Sequence, residues 1–364
     1  MYSESDLEAA VAAGALTPEA AHGLRHYIAS TRATPTVDEE HFRLITGFND
    51  IFVAVAAALL LSALAWIGST LEPRVGGDGP SPFGGLLVAA AAWGLAEFFT
   101  RRRRMALPSI LLLLAFILGT MATVAITLTL AIGQRNFQGD SSQLGFAVLA
   151  GAAAAGAAGA WFHWRRFRVP ITIAAGSAAV VGLLLASLGT VVGTVEGLDR
   201  ILLSLALVAG VVVFLFAMWW DSSDPRRETR RSDVAFWLHL LAAPLIVHPI
   251  FTLLGLNDGN ANPGEAMVVL IVYVLLGLAA LAIDRRALLV SALAYVLWAI
   301  SDLFEEAGAV ELNLALTALV IGSALLLLSA FWNNARRAIV RPLPPGLQAK
   351  LPVLDRISAA PAAV

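Results

Sequence analysis

The chain has no cysteine and unusually few charged residues. Of its 364 residues, 14% are charged and 59% are hydrophobic, and the formal net charge is −2. Without cysteine the chain has no disulfides, thiolate metal ligands or cysteine nucleophiles. Soluble globular domains carry about 25% charged residues, so this composition predicts a membrane protein. The absence of a basic excess gives no reason to expect a nucleic-acid partner.

Several signatures of enzymes are also missing from the sequence. It contains no HExxH, GxSxG or P-loop motif, and no span carries paired aspartates of the DxxD kind. These motifs place metal ligands, a nucleophile or a phosphate cradle at fixed spacing. Long hydrophilic loops that could form a catalytic domain are absent too. The sequence therefore predicts a noncatalytic protein without a metal or another cofactor.

What the chain does have is long apolar stretches. A membrane-spanning helix requires about 20 predominantly apolar residues. These stretches are continuous rather than alternating, which favours helices over barrel strands. The sequence predicts an all-α transmembrane bundle over residues 51–332. Its ten spans centre on Ile51 to Ser69, Phe83 to Phe99, Leu107 to Gly133, Leu144 to Trp164, Pro170 to Val195, Ile201 to Trp220, Val234 to Gly255, Ala266 to Ile283, Ala287 to Leu303 and Asn313 to Trp332.

Arginine clusters follow every second span. Only three of the 24 Lys and Arg residues, Arg74, Arg135 and Arg200, fall in the intervening loops. Positive residues concentrate on the cytoplasmic side of a membrane, so this distribution predicts a bacterial inner-membrane protein with both termini in the cytoplasm. The clusters are Arg101, Arg102, Arg103 and Arg104; Arg165, Arg166 and Arg168; Arg226 to Arg231; Arg285 and Arg286; and Arg336 and Arg337.

Polar segments flank the predicted bundle. Residues 1–30 have the pattern of a helical hairpin, in which Gly14 ends the first helix and Thr17 caps the second. So small a unit buries too little surface to be stable alone, so we expect it to bind the bundle, a cytoplasmic protein or a second copy. Residues 31–50 form a linker and an amphipathic lead-in. Residues 333–364 form a cytoplasmic, proline-rich tail.

One segment resembles a known family. The run "LEAAVAAGALTPEAAHGLRHYI", followed by about ten spans with arginine-rich turns, is similar to a family of uncharacterised bacterial polytopic inner-membrane proteins. Members of that family carry a short cytoplasmic helical hairpin before the membrane region. The resemblance covers about 30 residues by sequence and the remainder only by layout. It implies no activity, cofactor or site.

Small residues mark where helices pack closely. Span five ends in Gly189, Gly193 and Gly197, a tandem GxxxG pattern that lets another helix approach. The partner helix belongs either to the same bundle or to a second copy. Spans two and four both end in aromatic residues, an arginine turn and a proline, at Pro108 and Pro170. This repeated pattern indicates tandem two-helix hairpins. It arises either from duplication or from membrane topology alone, which places basic residues at every second turn.

Three spans carry the polar residues of a candidate path. Histidines nine residues apart on span seven, His239 and His248, point to opposite faces of an ideal helix and so cannot share one metal, unless the two prolines of that span rotate them. If the faces of the three spans meet, they line a polar cavity with Asp302 as a cation or proton site. Alternatively, the threonine hydroxyls bond carbonyls of their own helix. The other members are Ser291, Tyr295 and Trp298 on span nine, and Thr120, Thr123 and Thr127 on span three.

Two function classes follow from these patterns. The first is a membrane-anchored scaffold or sensor that acts through its N-terminal hairpin. The second is a transporter or channel for a small or lipid-like solute, with its path between spans three, seven and nine. A polar lumen across the bundle would favour transport, whereas a dry, alanine-packed interior would favour the scaffold.

Overall fold

The computed structural model describes residues 10–24, 48–137, 142–193, 195–225, 227, 229–255, 263–286, 288–289, 293, 296–297, 300 and 313–354. The chain divides into two compact units. Residues 10–24 belong to the first unit, and all the longer helices belong to the second. Within the described ranges, every regular element is helical. The predicted all-α class is therefore confirmed for this part of the chain.

Residues 10–24 form a helical turn, a reversal and a second helix. Gly14 has a φ of +70°, and the amide of Ala15 donates to the carbonyl of Ala10 at 2.9 Å. This left-handed conformation ends the first helix. Thr17 accepts a hydrogen bond from the amide of Ala20 through Oγ1 at 3.1 Å, which caps the helix over residues 18–24. Both local features that the sequence predicts are present.

Eleven helices of the second unit are described. Helices α1 to α7, with α2 taken together with the π-helical turn that follows it, are each long and apolar enough to cross a membrane. A π-helical turn, Glu97–Arg102, continues α2. The helices are α1 Phe48–Ser69, α2 Pro82–Ala96, α3 Ala106–Ile132, α4 Ser142–Phe167, α5 Ile171–Val192, α6 Leu198–Ser222, α7 Arg230–Leu253, α8 Pro263–Ile283, α9 Asn313–Ala330, α10 Trp332–Val340 and α11 Pro345–Gln348.

The C-terminal helices are less regular as spans. A bend of 70° separates α9 from α10, and the pair is long and apolar enough for either one broken span or a re-entrant loop. The apolar part of α8, Met267–Ile283, is shorter than the others. Span nine, predicted over residues 287–303, lies mostly outside the described residues. The described part of the chain thus contains seven candidate membrane-spanning helices, or eight if the bent pair is one span, while the count of ten and the orientation of the termini stay predictions.

Consecutive helices pair across the arginine-rich turns. The most extensive contacts join α2 to α3, α4 to α5 and α6 to α7. Four of these turns contain a non-glycine residue with left-handed φ: Arg104 at 53°, Arg168 at 52°, Arg227 at 54° and Asp284 at 56°. A left-handed residue reverses the chain just beyond a helix. The structure therefore repeats one hairpin design along the bundle, as the repeated pattern in the sequence indicates.

Alanine and glycine bring the helices together. A Cβ on Gly85 of α2 would lie 2.5 Å from the Gly119 carbonyl oxygen of α3, so the two backbones touch. Gly68 of α1 meets α2 in the same way, since its Cβ would lie 2.6 Å from the Cα of Gly84. In lipid, helices associate through such close packing and not through the hydrophobic effect.

The structure corrects the tandem GxxxG prediction. Helix α5 ends at Val192, so Gly193 is its C-cap and Gly197 is the N-cap of α6. Only Gly189 lies within the helix, and a Cβ there would meet the Phe146 ring of α4 at 2.5 Å. The pattern fails because the chain leaves the helix after the first glycine. Gly189 therefore packs against a helix of the same chain, while association with a second copy stays a prediction.

Candidate functional site

Six ionisable side chains meet at the end of the bundle where the arginine-rich turns lie. We call them the arginine-end network. They come from the ends of helices and from turns that are far apart in sequence, and at most a tenth of any of these side chains is exposed. Its members are Asp221, Arg227, His239, Asp284, Arg285 and Arg336.

Asp221, in the last turn of α6, is the first centre of the network. Arg285 donates two hydrogen bonds to its carboxylate, from Nε to Oδ2 at 3.1 Å and from Nη2 to Oδ1. The Nε2 atom of His239 lies 3.0 Å from Oδ2. Arg285 also donates to the Ser232 carbonyl at 3.0 Å. A forked arginine–carboxylate pair is geometrically specific, so it fixes α6, α7 and the turn after α8 together.

Asp284, just beyond α8, is the second centre. Its Oδ2 accepts from Arg227 Nη1 at 2.8 Å, and its Oδ1 accepts from the Trp332 indole N–H at 2.7 Å. Burial acts to raise the pKa of the Asp284 carboxyl, but the charges of Arg227 and Arg336 and the Trp332 hydrogen bond hold the pKa below its usual value. The carboxylate is thus stabilised in its charged form.

The network also holds the segment that follows α10. Arg336 donates to the carbonyls of Pro352 and Val353, the latter at 3.1 Å. The amide of Val353 donates in turn to the Pro225 carbonyl at 3.4 Å, and Leu351 packs against the apolar cluster around Trp332. The proline-rich tail up to residue 354 is therefore a packed part of the bundle, and its later residues lie outside the described ranges.

A separate ion pair joins the first two arginine turns. Glu97, in the π-helical turn, accepts from Arg166 Nε at 2.6 Å and from Nη2 at 2.9 Å. This ion pair connects the π-helical turn after α2 to the last turn of α4. Among the described residues, the nearby His163 has no ion-pair partner. It is fully buried between Trp93 and Phe167, with Thr172 Oγ1 3.3 Å from its Nδ1.

The threonines of the predicted polar path are engaged within their own helix. The hydroxyls of Thr120, Thr123 and Thr127 each donate to the carbonyl four residues earlier, at 2.7, 2.8 and 2.7 Å respectively. Thr123 also lies 3.3 Å from the Pro82 carbonyl of α2. The alternative that these hydroxyls bond their own helix is confirmed, and Thr123 in addition contacts α2.

The two histidines of α7 lie in different surroundings. His239 is fully buried against Asp221, whereas His248 is exposed on the surface of the bundle. The structure does not bring them together. Among the described residues, no group of three His, Asp or Glu side chains is arranged to hold a metal ion. Four further members of the predicted path lie outside the described residues: Ser291, Tyr295, Trp298 and Asp302.

Sequence reasoning missed the arginine-end network. Asp221 and Asp284 lie just beyond predicted spans, and the charge pattern of the arginines beside them predicts topology only. The available signal was the pairing of an aspartate with arginines in "WWDSSDPRR" and again in "LAIDRR". Charges at the end of an apolar helix are costly to bury unless they are paired, so a search for opposite charges at neighbouring turns would have found them.

Comparison of the chain with protein-family models, curated proteins and solved structures gave no match. The family resemblance of the N-terminal segment therefore stays a prediction.

Proposed function

We propose that this protein is a noncatalytic scaffold or sensor in the bacterial inner membrane. In this proposal the bundle anchors the chain in the lipid bilayer with its arginine end toward the cytoplasm. Residues 1–30 are then presented to a cytoplasmic protein or to a second copy of the chain. The observation that carries the proposal is the arginine-end network, in which buried arginines and a histidine are paired with two buried aspartates.

The arginine-end network supports a static role for the bundle. It joins α6, α7, the turn after α8, α10 and the tail through charge-assisted hydrogen bonds. Breaking such buried contacts is costly, so relative motion of these elements is restrained. A rigid platform suits an anchor, because it holds attached segments at a fixed place on the membrane.

The transport alternative finds less support. It requires a polar path in which the faces of α3 and α7 meet. The α3 hydroxyls instead bond carbonyls of their own helix, and His239 belongs to the network. The described interior is packed mainly by alanine with leucine, isoleucine and valine. Asp302 lies outside the described residues, so its place on such a path is a prediction only.

The hairpin can be tested in native membranes, because the chain contains no cysteine of its own. Ala13 is exposed, so Ala13→Cys provides a unique attachment point for a photoactivated crosslinker. We expect one discrete adduct, either a dimer of this chain or a complex with one other protein. A chain lacking residues 1–37 should still insert into the membrane but lose proteins detected by proximity labelling.

A pair of glycine variants makes this test specific. Gly14→Val is strained because Gly14 has a φ of +70°, so it should disrupt the hairpin and remove the adduct. Gly23→Ala is the matched control, since a Cβ there meets nothing within 4 Å, and it should keep the adduct. If no adduct forms, or if Gly14→Val leaves it unchanged, the scaffold proposal is wrong. Solute flux through the reconstituted truncated chain would instead establish the transport alternative.

A further inference from the structure

An apolar cavity opens on the side of the bundle between α4, α5 and α6. Its volume is about 600 Å³, within the range of about 300 to 1,000 Å³ that small-molecule sites occupy. Ala160, Val181 and Val213 form a buried floor, while Leu184 and Val212 at the rim are more than half exposed. Because the rim is both apolar and exposed, the cavity faces the surroundings of the helices and not the bundle interior.

The cavity has the depth of one membrane leaflet. Along α5 it extends from Thr172, in the first turn at the arginine end, to Leu185. At 1.5 Å per residue this is about 20 Å. Half of the hydrocarbon core is about 15 Å thick, and the headgroup region adds several more ångströms. A single acyl chain entering from the arginine end would therefore lie along the cavity.

The arginine end of the cavity is aromatic and positively charged. Trp161 lines the cavity, and the guanidinium carbon of Arg165 lies 4.9 Å from the centroid of its ring. Arg168, three residues later, is also exposed. Among the described residues, neither Arg165 nor Arg168 forms an ion pair, whereas Arg166 between them is paired with Glu97. Arg165 thus contacts a lining residue, and Arg168 lies in the turn between two others, Trp164 and Thr172, so both cations belong to the arginine end of the groove.

We propose that this cavity binds one anionic phospholipid. An acyl chain occupies the groove between α5 and α6, and the phosphate and anionic headgroup contact Arg165 and Arg168. Tryptophan and arginine at a helix end are suited to the headgroup region. Basic pockets between transmembrane helices on the cytoplasmic side bind anionic headgroups. The site requires membrane insertion only, so it stands independently of the scaffold role.

Charge complementarity distinguishes this occupant from the others. A zwitterionic lipid would fill the groove equally well but would not neutralise the two arginines. A helix of a second copy would have to enter a groove bounded by α5 and α6, and would leave the same arginines without counter-charges. The anionic phospholipid is the occupant that satisfies both the apolar groove and its charged end.

The test compares two phospholipids with identical chains by native mass spectrometry of the delipidated, full-length protein. We expect dioleoyl phosphatidylglycerol to bind about tenfold more tightly than dioleoyl phosphatidylcholine, because an anionic headgroup forms the stronger contact with arginine. Arg165→Gln should reduce this preference severalfold and weaken phosphatidylcholine binding less, because Arg168 remains and the choline cation already offsets the phosphate of that lipid. Ser177→Phe, which fills the cavity, should weaken the binding of both lipids.

Matched variants separate the site from general surface charge. Arg103 stacks on Phe98 at 5.5 Å, so Arg103→Gln removes the same charge and the same kind of ring contact away from the cavity. Leu118→Phe enlarges an exposed α3 side chain outside the cavity. Both controls should bind phosphatidylglycerol like the wild type. Equal affinity for the two lipids, equal effects of Arg165→Gln and Arg103→Gln, or an appearance of dimers in place of lipid adducts would overturn the proposal. If Ser177→Phe does not fold, the two arginine variants decide.

Discussion

Replacing Asp221 by asparagine should destabilise the bundle strongly. The side chain keeps nearly its shape but loses its negative charge. Arg285 then remains in a site where 2% of its side chain is exposed, without the carboxylate that it grips. His239, fully buried, loses the same partner. The variant therefore tests whether the arginine-end network holds the helix ends together.

The expected loss in free energy of unfolding is about 3 to 5 kcal/mol, the range for removing one member of a buried ion pair. It can be measured by denaturant titration of the purified protein in detergent micelles. Asp199→Asn is the matched control, because Asp199 lies at the exposed start of the same helix. Its effect should be within about 0.5 kcal/mol.

The double variant Asp221→Asn with Arg285→Gln completes a mutant cycle. The uncompensated arginine is then gone, so the double variant should be less unstable than the sum of the single variants predicts. Strict additivity would refute the reasoning, because it would mean that the two side chains do not interact. So would a loss for Asp221→Asn no greater than that of the Asp199→Asn control.

Three further outcomes follow from the structure. Gly85→Ala places a Cβ 2.5 Å from a backbone oxygen of α3, so it should lower the free energy of unfolding by about 1 to 3 kcal/mol. Gly94→Ala is the control, because a Cβ at Gly94 meets nothing within 4 Å. Equal stability of the two variants would contradict the close packing of α2 and α3. Asp284 has a folded-state pKa below its usual value, so its stabilising contribution is present above the unfolded-state pKa and is lost as pH falls through the folded-state pKa. Acid titration of unfolding should therefore show a shallower decline for Asp284→Asn than for the wild type. Finally, a membrane-impermeant maleimide added to intact cells should label Asp78→Cys but not Arg102→Cys, and the reverse pattern would invert the predicted topology.

Two adjacent arginines show what the charge pattern of the sequence cannot predict. Arg336 and Arg337 are adjacent in one cluster, yet Arg336 is buried and holds the Pro352 carbonyl while Arg337 is exposed. Positive-inside reasoning treats both alike, because it depends only on the number of cations on each side. Arg336 shares one face of α10 with Trp332 and Val340, and all three are buried. Which face of α10 packs against the bundle is a property of the tertiary structure.

Short-range sequence signals predicted the structure better than the charge pattern did. The glycine that ends the first helix and the threonine that caps the second follow from conformational preferences within a few residues, and the structure contains both. The glycines after span five show the limit of the same approach. A GxxxG pattern implies packing only if the helix continues through it, and α5 ends at Val192.

The sequence by itself determined an all-helical protein with membrane-spanning helices, because the length and apolarity of a span are properties of continuous residues. It also determined that His239 and His248 occupy different helix faces, because nine residues fix a rotation. Only the tertiary structure decided the arginine-end network and the cavity between α4, α5 and α6. Asp221 and Arg285 are 64 residues apart, and Arg227 and Asp284 are 57 apart. Such pairings depend on which helices pack side by side, and local patterns do not encode that choice.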